Sequence, residues 1–316
     1  MRRTLPIFCV LAVLLVAIGT ANPHFLEPAG FLSFVRRAGP LAILAAGQYF
    51  VVVSGEFDLS VGSLVTAEVV IAARLIDGEP AATWPVLALL LAAGALVGLL
   101  NGLVTTLLRV PSFIATLGMM LILSGAVFLW TGGAPRGALT EQFRAFGRAG
   151  LGGVPWSALI LAAVTVAVVL LMRADFGRTL VATGDNQKAA DLSGVRTHRA
   201  KTVAFVLSGL SAAVCAILLG GYAGVSAQVG QGLEFQAITA VVLGGVVLGG
   251  GRGSVVAAIA GAFTLEALFT LLNLYGVSGA LEVTVQGVIL VAAVALGAVR
   301  LPQWTALPRR PLKGQS

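Results

Sequence analysis

The chain has 316 residues, 58% of them hydrophobic and 10% charged, with a net charge of +7 and a mean hydropathy of +0.99. A water-soluble domain carries about a quarter of its residues as charged groups, so lipid must supply much of the solvent here, and the hydrophobicity excludes a disordered chain. The excess of Lys and Arg fits the cytoplasmic loops of a membrane protein better than a nucleic-acid surface, so no nucleic-acid partner is expected.

A membrane-crossing helix needs about 20 mostly apolar residues. Such stretches predict an all-α polytopic bundle of about ten spans, at 5–21, 40–54, 59–76, 84–108, 113–131, 155–172, 202–222, 235–250, 254–272 and 279–299. The first follows Met1-Arg2-Arg3 and resembles a signal peptide, but nine further spans argue for an uncleaved first helix. The second stretch is short and the eighth glycine-rich. Either is expected to be a broken or re-entrant helix, tolerated where protein or a water-filled cavity surrounds the backbone. Forty glycines and few aromatics suit helices that pack closely through small residues.

The basic residues give an orientation. With the N-terminus inside, Arg2, Arg3, Arg109, Arg173, Arg178, Lys188, Arg196, Arg199, Lys201, Arg252, Arg300, Arg309, Arg310 and Lys313 fall inside. Arg36, Arg37, Arg74, Arg136, Arg144 and Arg148 fall outside or near that face. This bias and the even span count predict that both termini are cytoplasmic. The longest external loop is then 132–154 and the longest internal one 173–201.

A weak internal repeat relates 52–63, which reads VVSGEFDLSVGS, to 242–254, which reads VLGGVVLGGGRGS. Paired interrupted segments in the two halves of a transporter point to its binding site. Ionisable groups inside spans mark a pathway by default; the candidates are Glu56, Asp58, Glu68, Glu234, Glu266 and Glu282. At the first break Ser60 and Ser63 can satisfy freed backbone groups, and Asp58 either lines a path or starts the next helix as a cap. Gln48, Asn101, Ser112 and Thr116 are polar residues in or near spans, suited to interhelical hydrogen bonds. Glu266 has no basic residue within its own span.

The internal loop reads GRTLVATGDNQKAADLSGVRTHRAK over 177–201. Thr183-Gly184-Asp185-Asn186 is turn chemistry, Asp185 or Asn186 can cap a short helix from Gln187 through Ala189 and Ala190, and Gly194 ends it. A capped, charged helix on the cytoplasmic face suits docking onto another protein.

Absent motifs exclude most chemistry. No G-x-x-x-x-G-K-[ST], H-E-x-x-H or G-x-S-x-G occurs, and the lysines are Lys188, Lys201 and Lys313 alone. His24 and His198 fall in opposite loops, and Cys9 and Cys215 lie in apolar runs. No catalytic centre, metal site, disulfide or cofactor is expected.

Four stretches carry a resemblance: GEFDLSVGS (55–63), LLNGLVTTLLRVPSFIATLGMMLILSG (99–125), GRTLVATGDNQKAADLSGV (177–195) and AITAVVLGGVVLGGGRGS (237–254). With them the chain, over roughly 40–295, resembles the permease subunits of ATP-binding-cassette (ABC) importers, in the ribose-type branch that handles monosaccharides. The resemblance implies a bacterial inner-membrane permease that pairs with a second permease subunit, identical or paralogous. It implies solute delivered by an extracytoplasmic binding protein and a cytoplasmic ATPase gripping the 184–194 loop. Glu56 and Phe57 depart from the pattern, where a small residue and Ile are more usual.

On this reading the chain is one permease domain in its lipid. It comprises a first helix (1–21), a first-half repeat (40–131), a cytoplasmic coupling loop (173–201), a second-half repeat (202–299) and a cytoplasmic tail (300–316). Gln48, Glu56, Asp58, Ser60, Ser63, Asn101, Ser112, Thr116, Gly244, Gly245 and Ser254 are expected along the path. Gly184, Asp185, Asn186, Ala189, Ala190 and Gly194 are expected to engage the ATPase. An ion-coupled carrier and a nucleoside permease are the competing transport readings. An intramembrane hydrolase would need a nucleophile and base that these residues do not assemble.

Overall fold

The computed structural model describes residues 5–277 and 279–298. The expected tail at 300–316, the end of the last predicted span and the basic residues Arg2, Arg3, Arg300, Arg309, Arg310 and Lys313 lie outside them. The described chain is an all-α bundle, and each of the ten predicted apolar stretches contains a helix.

Helix α1 (Leu5–Ala21) is followed by α2 (Pro28–Val53), α3 (Val61–Ile76), α4 (Thr83–Thr106) and α5 (Ser112–Thr131). The next connection holds α6 (Glu141–Arg148) and a two-residue antiparallel pair, β1 (Gly150–Leu151) with β2 (Val154–Pro155). Then come α7 (Trp156–Arg173), α8 (Asp175–Asp185), α9 (Gln187–Leu192), α10 (Thr197–Ala223), α11 (Leu233–Leu243), α12 (Val255–Leu274) and α13 (Gly279–Ala298). Six of these, α2, α4, α5, α7, α10 and α12, are long and apolar enough to cross a membrane.

Helix α10 runs through the centre of the bundle, against α2, α3 and α4. Its approach to α4 depends on small residues: a Cβ on Gly94 would lie 2.5 Å from the carbonyl oxygen of Gly209. Such backbone contact is how helices associate where lipid removes the hydrophobic drive between them. The largest core cluster joins α2, α7, α10 and α12 through Tyr49, Phe50, Leu161, Phe205 and Leu265.

Three expectations need correction. The predicted span at 40–54 is the C-terminal part of a 26-residue helix that begins at Pro28 and contains Pro40. Proline removes one backbone bond there, but residues 38–53 are buried and neighbours hold the helix together. Long Arg side chains at 36 and 37 mimic a loop in sequence, although such stems lie readily along apolar surface. The segment expected as the internal loop holds a second helix, α8, fastened by buried Leu180, so Thr183, Gly184 and Asp185 are helical and the chain turns only at Asn186. His198 sits exposed in the first turn of α10 rather than in a loop.

Candidate functional site

The first break joins α2 to α3. After Val53 the chain reverses through Gly55, whose φ of +84° is open to glycine at no steric cost. The freed backbone then finds side-chain partners. Asp58 Oδ1 accepts from Ser60 N (3.0 Å) and Ser60 Oγ (2.7 Å), and Oδ2 accepts from Ser208 Oγ of α10 (2.9 Å). Asn101 Nδ2 of α4 donates to Ser60 Oγ (2.9 Å). From α5, Ser112 Oγ accepts from Phe57 N and Thr116 Oγ1 from Leu59 N, each at 3.1 Å. Ser63 Oγ donates to Ser60 O (2.8 Å).

Asp58, Ser60, Asn101, Ser112 and Thr116 are therefore brought together, between 0 and 4% exposed. Their polar atoms meet one another and the backbone, so they brace the break. Asp58 lies two residues before Ser60, the N-cap of α3, and its side chain accepts from the Ser60 amide at the helix entry.

The second break, between α11 and α12, holds Gly244, Gly245 and Ser254. Gly244 packs on Ala257 and Ala258, Gly245 is exposed with φ +80°, and Ser254 is extended at the start of α12. None of the three joins the Asp58 cluster. Gln48 is buried in α2 with neither amide atom hydrogen-bonded.

The two breaks nevertheless meet, and the segment 173–201 meets both. Gly251 N donates to Val53 O (2.8 Å). A Cβ on Gly250 would lie 2.8 Å from Gly55 N and 2.9 Å from Gly184 Cα; one on Gly184 would lie 2.5 Å from Gly251 N. Asp185 Oδ1 is 3.8 Å from Arg252 Nη2. Beyond this junction Asn186 Oδ1 accepts from Ala189 N (3.0 Å) and caps α9, which stops before Gly194 at φ +81°. Ala190 faces inward and Ala189 outward, and Leu192 is 82% exposed.

Some contacts could not be read from the sequence. Lys201 Nζ donates to Glu56 Oε1 (2.5 Å) and Gln187 Oε1 (2.8 Å), tying α10 to the first break and to α9. A cavity of about 670 Å³ adjoins this bridge, lined also by Arg109 and Asp191. Arg37 Nε lies 3.7 Å from Glu266 Oε1, so the partner of Glu266 comes from α2. Asn273 Nδ2 donates to Glu282 Oε1 (2.7 Å). Glu68 is fully buried, with neither carboxylate oxygen hydrogen-bonded among the described residues. The only signal for the Lys201 bridge was an acidic residue in a break and a lone lysine at the edge of a span.

A second cavity, of about 330 Å³, lies between α3, α5 and the segment leading into α11. Ser63, Thr66, Met120, Ser124, Val127, Gln228, Gln231 and Glu234 line it. Of the expected path residues, Ser63 faces this recess and Glu56 the larger cavity. Gln228 and Gln231 were not anticipated, because they read as ordinary loop residues.

Residues 30–294 match the family described as branched-chain amino acid transport system / permease component. The chain is 36% identical to the ribose import permease protein RbsC of Bacillus subtilis, over 92% of this chain and 91% of that protein. It is 36% identical to RbsC of Escherichia coli K12 over 90% of each. With the autoinducer 2 import system permease protein LsrC of Klebsiella pneumoniae it shares 35% identity over 99% of this chain and 91% of that protein. No solved structure matches the chain. The matched length, the motif stretches and the apolar helical bundle agree: the chain belongs to the ribose-type family of ABC importer permeases and is a multi-pass protein of the bacterial inner membrane.

Proposed function

We propose that this permease moves a monosaccharide or similarly small polar solute, received from an extracytoplasmic binding protein and driven by a separate ATPase. The loop 173–201 faces the cytoplasm with both termini, and α9 is the ATPase docking element, with exposed Leu192 and Ala189 as its contact. A second permease subunit completes the path. One observation carries the reading: Gly184 touches both helix breaks at once. A push on α8 and α9 therefore reaches both interrupted segments without crossing the bundle. Alternating access is then a population shift that ATP binding and hydrolysis bias from outside the chain.

The test is reconstitution in proteoliposomes with the cognate ATPase and binding protein, with D-ribose as the first probe of a monosaccharide panel. Uptake should require ATP and all components. Uptake by this chain alone under an imposed ion gradient would overturn the reading in favour of an ion-coupled carrier.

A further inference from the structure

The polar residues that brace the first break are buried and already hydrogen-bonded, which leaves open where a solute meets polar groups. The 330 Å³ recess answers differently from the break. Ser63 and Thr66 come from α3, Ser124 from α5, and Gln228, Gln231 and Glu234 from the approach to α11. Helix α11 has 11 residues, about 16 Å at 1.5 Å per residue, against a hydrocarbon core of about 30 Å. It is too short to cross alone, and in its first turn Glu234 is buried while Phe235 is exposed.

Local contacts hold this end of the helix in place. Gly230 N donates to Thr66 Oγ1 (3.0 Å), and a Cβ on Gly62 would lie 2.6 Å from Gly230 O. This backbone contact brings the Gln228–Glu234 segment against the second turn of α3. Gln228, Gln231 and Ser124 remain exposed, while Glu234 is only 7% exposed.

We infer that this recess is a solute-contact site for one neutral, hydroxyl-rich molecule of monosaccharide size, with Gln231, Gln228, Ser124 and Glu234 meeting its hydroxyls. The inference rests on the permease reading above. Its chemistry follows from the donor set: carboxamides both donate and accept, hydroxyls do likewise, and a carboxylate accepts. Among the described residues lining the recess none is Lys, Arg or His, so a carboxylate or phosphate would meet Glu234 without a compensating cation. The volume lies at the low end of small-molecule sites, about 300–1,000 Å³, and is enough for one sugar ring.

The experiment uses the reconstituted complex and a monosaccharide panel headed by D-ribose, each sugar paired with a deoxy analogue. Gln231→Ala and Ser124→Ala remove exposed polar groups, and each should lower sugar uptake about three- to tenfold, the worth of roughly one hydrogen bond. Both should also narrow the preference for the sugar over its deoxy analogue, with ATP hydrolysis stimulated by the binding protein unchanged. Membrane content of each variant is matched before uptake is compared. Unchanged uptake and unchanged preference in both variants, with the unmodified complex active, would overturn this inference alone. Absence of ATP-dependent uptake by the unmodified complex would overturn the permease reading and this one with it.

Discussion

Asp58 accepts hydrogen bonds from the amide and hydroxyl of Ser60 and from the hydroxyl of Ser208, all out of solvent. Asp58→Ala leaves those donors without an acceptor, at a cost of about 1–3 kcal/mol for an unmade buried bond. The detergent-solubilised protein should melt several degrees lower, and Asp58→Asn should recover part of the loss; an unchanged melting temperature for the alanine variant would contradict the bracing role. Glu68 is the opposite case, a buried carboxyl on α3 without a hydrogen-bond partner among the described residues. Glu68→Met keeps similar bulk and removes the unmade bonds, so it should add about 1–3 kcal/mol of stability and raise the melting temperature. A lower one would contradict that account. The cluster around Asp58 was legible in part, because polar groups inside apolar stretches must find partners. Hydropathy marks those positions but not which side chain each one meets, so path-lining and bracing look alike until α4, α5 and α10 are in place.

The helices were legible as elements wherever an apolar run was bounded by turns. Helix α2 escaped in its first part because Arg36 and Arg37 interrupt the run, and α8 because its anchoring residue, Leu180, is buried by tertiary contacts alone. The Glu56–Lys201–Gln187 link joins the first break to α10 and α9. Removing one side leaves the other charge without its partner and largely out of bulk solvent. Glu56→Lys and Lys201→Glu, each alone, should lower solute uptake per ATP hydrolysed several-fold. The double exchange should restore most of it, because the two sites act through one contact. Additive losses in the double variant, measured in proteoliposomes, would show that the pair does not link these elements.

For the whole molecule, the two interrupted segments flagged by their glycines lie far apart in sequence yet touch at Gly55 and Gly250, with Gly184 of the segment 173–201 against both. Each glycine cluster is visible in the sequence; their convergence is a property of the packed bundle. On the proposed reading, this chain would hold the path and its lever, with the motor and the capture of solute in other subunits. The most direct measurement is the ratio of solute taken up to ATP hydrolysed by the reconstituted complex carrying Gly184→Val. The side chain has no room between Val53 O and Gly251 N, so hydrolysis should continue while uptake falls at least tenfold. A variant that reaches the membrane, assembles with its ATPase and keeps the unmodified ratio would contradict the account.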